Sequence, residues 1–144
     1  MDLVRTIYER FRAGDNEASL ELFDPEVEVR DRPEAPDPQV YHGRQGVLKS
    51  LGVSQSAFEG LDIVPEEFID AGDHVVVVFR FVGTGCESWI LVDERLAHLW
   101  TIRDGKAMRM TVHSSKDEAL HAARRPPARK DRGAAAGSGG SGER

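Results

Sequence analysis

The run from Asp73 to Leu120 constrains this chain more than any other part of it. Three β-rich segments follow one another there, HVVVVFRFVG, SWILVDERLAHLWTI and KAMRMTVHSS, and a helix closes the run. Gly85 stands in one junction and Asp104-Gly105 in the other. Asp-Gly between β-rich runs is the strongest short-range hairpin signal, because a type I′ turn needs positive φ at both central residues. Strands this long in so small a protein predict a strongly curved antiparallel sheet. Capped by helices, such a sheet encloses a pocket.

At 144 residues the chain has the length of one domain with room for a core and a ligand-sized hollow. No run approaches the roughly 20 apolar residues of a membrane span. The first residues, MDLVRTIYERF, interleave acids with apolar positions and carry no small-residue cleavage site, unlike a signal peptide. Cys86 is the one cysteine, so no internal disulfide is expected. The five histidines show no H-x-x-x-H spacing, and neither a metal nor a cofactor is expected. These features predict a cytoplasmic protein with no membrane partner.

The net charge of −6 hides an asymmetry. Residues 124–144 hold six basic and two acidic side chains, which leaves 13 basic and 23 acidic residues before them. A body near −10 repels phosphate backbones, which argues against nucleic-acid binding. The segment RRPPARKDRGAAAGSGGSGER reads as a disordered, dispensable tail at 124–144, after a single domain at 1–123.

Along the domain, Val4, Ile7, Tyr8 and Phe11 fall at the i, i+3, i+4, i+7 spacing of a helix over 2–13, ended by Gly14. Asp15 or Asn16 caps a short second helix, stopped by Asp24-Pro25. Val27-Glu28-Val29 is a first strand, and RDRPEAPDP after it can only be loop. A third helix carries Val47, Leu48 and Leu51 inward. Leu61 to Asp70 is a strand that Pro65 confines to an edge or to its own start. Ser115 and Glu118 form a capping box for the last helix. The order is an α+β layout with helices on one face of an antiparallel sheet.

FRAGDNEASLELFDPEVEV, YHGRQGV, EEFIDAGDHVVVV, and LAHLWTIRDGK followed by KDEAL together resemble the SnoaL-like branch of the NTF2-like cone folds. The resemblance covers roughly residues 3–122. It implies a conical half-barrel whose curved antiparallel sheet is packed by helices on its concave face around a pocket. Relatives include polyketide cyclases, ketosteroid isomerases and epoxide hydrolases, beside many binding domains, so the fold does not name an activity. An ungapped match to the isomerases puts their oxyanion-binding tyrosine at Ile7, their general base at Val29 and their proton-donating aspartate at Ala97. A catalytic aspartate of the cyclases and epoxide hydrolases falls at Val112. None of the four positions holds the functional group, so none of the three chemistries carries over directly.

A two-residue loop at Asp104-Gly105 pairs Arg103 with Lys106, so that partners sum to 209. Arg95, Ala97, Leu99 and Thr101 then share a face with Met108, Met110, Val112 and Ser114, and Asp93 lies beyond them. This face is assigned to the cavity. The opposite one, with Leu96, His98, Trp100 and Ile102 facing His113, Thr111, Arg109 and Ala107, is assigned to a homodimer interface. A bulge in either strand would exchange positions between the faces and make His98 the best general base in the chain.

The candidate catalytic residues are Asp93, Arg95 and His98. An Asp beside an Arg favours the charged carboxylate and serves as a base or orienting pair; the bland alternative is a salt bridge at the rim. Candidate ligand contacts are Tyr41, Trp89, Ala97, Leu99, Met108, Met110, Val112 and Ser114. Trp89 fills or lines one end, and the methionines suit an adaptable apolar surface or plain packing. Tyr41 and His42 stand beside the proline-rich loop, where polar groups reach a ligand or cap the loop. Two functions remain open. One is a cofactor-independent isomerase, cyclase or hydrolase acting on a small apolar substrate. The other is a non-catalytic binding or dimerisation module.

Overall fold

The computed structural model describes residues 2–35 and 37–124. Helix α1 spans Asp2–Arg12 and buries Val4, Ile7 and Tyr8. Gly14 ends it at φ +83°, a conformation that costs a residue without a Cβ nothing. The amides of Gly14 and Asp15 there donate to the carbonyls of Phe11 and Arg10. Helix α2, Asn16–Ser19, runs into a 3-10 turn at Leu20–Leu22. Strand β1 covers Phe23–Arg30, four residues earlier than the Val-Glu-Val alternation suggests, so Asp24-Pro25 lies within it. Proline fits there because the β1 register shifts between Phe23 and Glu28.

The proline-rich segment is a loop with a pinned base: Asp31 N–H donates to the Gln39 carbonyl, and Gln39 N–H donates to Asp31 Oδ2. Strand β2, Val40–His42, follows, an element the sequence pattern does not suggest. Helix α3 is Gly43–Ala57 and strand β3 is Phe58–Ala71. Strands β4 (His74–Gly85), β5 (Leu91–Arg103) and β6 (Lys106–His113) form the meander expected from the sequence. Asp104 and Gly105 both have positive φ, +52° and +74°, as a type I′ turn requires. Helix α4, Lys116–Arg124, opens on the capping box: Glu118 N–H donates to Ser115 Oγ. Arg124, the first residue of the expected tail at 124–144, ends α4, and the rest of that tail, from 125 on, lies outside the described residues.

The six strands form one sheet in the order β2-β1-β6-β5-β4-β3. The α+β class holds, but the conical half-barrel with a curved antiparallel sheet does not. The sheet is neither closed nor strongly curled, and it is mixed, because β1 runs parallel to β6. Strand β2, at one edge, is three residues long and offers too little ladder to close the sheet. At the other edge β3 has register shifts on either side of its central segment, one of them between Pro65 and Glu67. Pro65 is thus confined to an edge strand and a bulge, as its missing donor demands.

Helices pack on both faces, not on one. On the inner face α1 and α3 cover Val27, Val29, Val75, Val77 and Trp100. On the outer face Ala119 of α4 packs against Val76, Ala97 and Leu99. Successive strand residues point to opposite sides, which is why neighbours such as Val75 and Val76 belong to different cores.

Candidate functional site

A single bulge decides which side chains meet. Arg103 and Ile102 pair with Lys106 and Ala107, as the constant sum requires. The register then shifts, and Thr101, Trp100, Leu99 and His98 pair with Arg109, Met110, Thr111 and Val112. Met108 is the extra residue. The shift moves Met110 and Val112 onto the face of His98 and Trp100, while Ala97 and Leu99 remain on the other face under α4. Trp100 is 1% exposed beneath α1, so the stripe assigned to a dimer interface is core.

The inner face holds a buried hydrogen-bond chain. Trp100 Nε1–H donates to Tyr8 Oη at 3.0 Å, and Tyr8 Oη lies 2.5 Å from His98 Nδ1. Indole N–H is a donor only, so the phenol oxygen accepts it and passes its own proton toward His98. Phe79 stacks on His98 at 4.0 Å between centroids, and Phe68 meets Tyr8 edge-on. Burial pushes the Tyr8 phenol far up, with the Trp100 bond opposing, so Tyr8 is a neutral donor. Burial, and then the charge of His113, lower His98 to about 3. His98 is therefore neutral at pH 7. Because its Nδ1 accepts, its Nε2 carries the proton.

Among the described residues, the side-chain nitrogen or oxygen atom that is fully buried without a partner is Asn16 Oδ1. His98 Nε2 is not among such unpartnered atoms, and His98 as a whole is 8% exposed. Along the same face Leu96 and Phe79 continue the β5–β4 rows, and Val112 pairs with His98. Asp31 follows directly on the Arg30–Thr111 pair and stands level with Val112 and His98, its Oδ2 held by the Gln39 amide. Tyr41, 9% exposed, pairs with Val29 and belongs to the same core. Burial, followed by the charges of Asp31 and Asp37, raises its phenol. Gly46 of α3 permits this packing, since a Cβ there would come within 3.1 Å of Tyr41.

The other sequence candidates lie elsewhere. Asp93 and Arg95 do not pair with each other: Arg80 donates to Asp93 at 2.6 and 3.2 Å, and Arg95 donates to Glu66 at 2.7 and 3.4 Å. Both pairs sit on the outer face, where Arg80 opposes Arg95. Hydrogen bonds from these guanidinium groups hold the Asp93 and Glu66 carboxyls below their usual range. Trp89 is 72% exposed in the β4–β5 connection at φ +58°, so it fills no part of the core. Ser114 accepts a bond from Arg32 Nη1 at 3.2 Å and donates to Glu34 at 3.3 Å. His42 precedes α3 without a side-chain cap bond.

Sequence reasoning placed Tyr8 in a buried stripe without asking where its hydroxyl went. A buried tyrosine needs a partner, and the fold supplies Trp100 and His98 from β5. Among the described residues, no helix is long and apolar enough to cross a membrane.

The sequence pattern of the SnoaL-like domain matches residues 4–110. The chain belongs to the SnoaL-like family, within the NTF2-like superfamily. An NTF2-like protein from Burkholderia thailandensis has a TM-score of 0.70 at 22% identity, over 87% of this chain and 96% of that one. TerC, crystallised with polyporic acid, has a TM-score of 0.68 at 27% identity, over 84% and 94%. A protein of ketosteroid isomerase-like fold from Catenulispora acidiphila, in complex with trimethylamine, has a TM-score of 0.68 at 16% identity, over 86% and 93%. No protein of curated function matches the chain by sequence.

Proposed function

We propose that the protein binds a small, largely apolar carbonyl compound against the inner face and isomerises or cyclises it without a cofactor. The observation that carries this reading is the buried Trp100–Tyr8–His98 chain, in which Nδ1 of His98 accepts and Nε2 is left to carry the proton. A neutral imidazole fixed as a donor stabilises charge developing on a carbonyl oxygen, and it does so best where water is excluded. Asp31, held by Gln39, is the proton acceptor in this reading, and Met110, Val112 and Tyr41 supply ligand surface. TerC's polyporic acid supports a ligand of this apolar, oxygenated kind.

One observation favours the second reading, a non-catalytic binding module. Asp31 already accepts the Gln39 amide and stands two strands from His98, about 10 Å at the usual strand spacing. Proton exchange separates the two. In D2O, a panel of cyclic ketones and 1,3-diketones should lose α-protons faster with the protein than in buffer, as followed by NMR. Asp31→Asn and His98→Phe should abolish the excess. Binding without exchange selects the binding module. Excess exchange that survives both substitutions rejects the assignment of the two residues.

A further inference from the structure

We infer that Arg32 is the specificity-determining residue of this site and selects ligands that carry an acidic oxygen group about two strand residues from the carbonyl. The inference rests on the reading of the His98 face as a ligand site and adds a substrate class to it. Glu94 and Leu96 lie on His98's face, since they pair with Phe81 and Phe79, and Phe79 stacks on His98. Arg32 reaches over this end of the face from the proline-rich loop. Its Nη1 donates to Ser114 Oγ at 3.2 Å, while its Nη2 stands 3.9 Å from Glu94 Oε1, too far for a hydrogen bond.

That loose pairing separates Arg32 from other arginines of the domain. Arg12, Arg80 and Arg95 each present both prongs of the guanidinium to one carboxylate. Arg32 is three-quarters buried as a side chain, yet it spends one N–H on a neutral hydroxyl. A planar fork held in this way is complementary to a carboxylate or acidic enol, which accepts two parallel bonds. Glu94 is half exposed and yields to such a ligand by turning into water. Ser114 follows His113 and so stands beside Leu96, two residues along β5 from His98. At about 3.4 Å per residue that is about 7 Å, which sets the spacing between carbonyl and acidic oxygens. The apolar body of the ligand then lies on Leu96 and Val112.

The test is a matched series of ω-oxo-ω-phenylalkanoates, with two to five methylenes between ketone and carboxylate, and their primary amides. Calorimetry with the full chain gives each Kd. The wild type should bind at least one acid about tenfold or more tighter than its amide. Arg32→Gln should remove that preference and leave the amide affinity within about twofold. Arg32→Lys, which keeps charge without the fork, should fall between them, and Arg95→Gln should match the wild type. An acid and amide bound equally by the wild type overturn the Arg32 assignment and leave the ligand site standing. A preference that persists in Arg32→Gln overturns it in the same way. If neither series binds, the ligand site on this face fails, and the Arg32 assignment fails with it.

Discussion

The two faces of the sheet use polar side chains in opposite ways. On the outer face charges are plentiful and finished: Arg80 with Asp93, Arg95 with Glu66, and Lys116 with Glu67. All are substantially exposed, where an ion pair is screened and contributes little. On the inner face polar atoms are few and buried, but they are joined in series from Trp100 through Tyr8 to His98. In low dielectric each bond of such a chain matters more, and so does any group left out. The outer pairs satisfy themselves in water, whereas the inner chain ties α1 to β5 away from it. The contrast makes the buried network a better candidate for chemistry than the face where charge is dense.

The sharpest way to break this contrast is Trp100→Ala. It removes the largest fully buried side chain and the indole donor to Tyr8, and it should cost about 3–5 kcal/mol in denaturant unfolding. A loss below about 1 kcal/mol would mean that the inner face is not the core of the domain.

Tyr8→Phe keeps the packing and deletes only the hydroxyl that joins Trp100 to His98. Two buried partners lose their bond, and unfolding should become easier by about 1–3 kcal/mol. A neutral effect would show that water replaces the phenol.

Acid should act through His98. Its native pKa, about 3, lies below the unfolded value near 6.5, so between these limits the unfolded chain binds the extra proton. The contribution of His98 is therefore complete above about pH 6.5 and is lost as pH falls toward 3, by up to about 1.4 kcal/mol per unit. Plotting stability against pH for the wild type and His98→Phe isolates this slope, since other groups titrate in both. Parallel curves would place the native pKa of His98 near the ordinary one.

The smallest effect belongs to the outer face. Asp93→Asn should move the thermal midpoint by no more than about one degree, and 1 M salt should erase the difference. A large, salt-insensitive drop would assign the outer pairs a structural weight that their exposure denies.

Much of the scaffold was legible from residues alone. Asp104-Gly105 announced its turn, Gly14 its helix end, Ser115 and Glu118 their cap, and Pro65 its edge strand, because each reports a backbone requirement that few residues meet. The face assignment failed at Met108. This bulge contains no glycine or proline, and a one-residue slip turns every later side chain of its strand to the other face. Strand β2 escaped notice because its three residues carry no alternation of their own and pair only through β1. Arg32 was hidden for a similar reason. A loop arginine acquires a role only from what the fold brings opposite it, here Ser114, 82 positions away.

That long reach has a consequence for how the molecule comes into being. The bonds that complete the inner chain join residues 90 and 92 positions apart, and β1 acquires its parallel partner only when β6 is made. At about 5–20 residues per second, synthesis separates the two ends by roughly 5–18 seconds. During that interval the apolar stripe of α1 waits for the strands it packs on, while β3, β4 and β5 can pair by local hairpins as they emerge. Non-local closure of this kind is slow and comes last. The nascent chain is therefore most exposed to misassociation at its N-terminal helix, the same helix that supplies Tyr8 to the site.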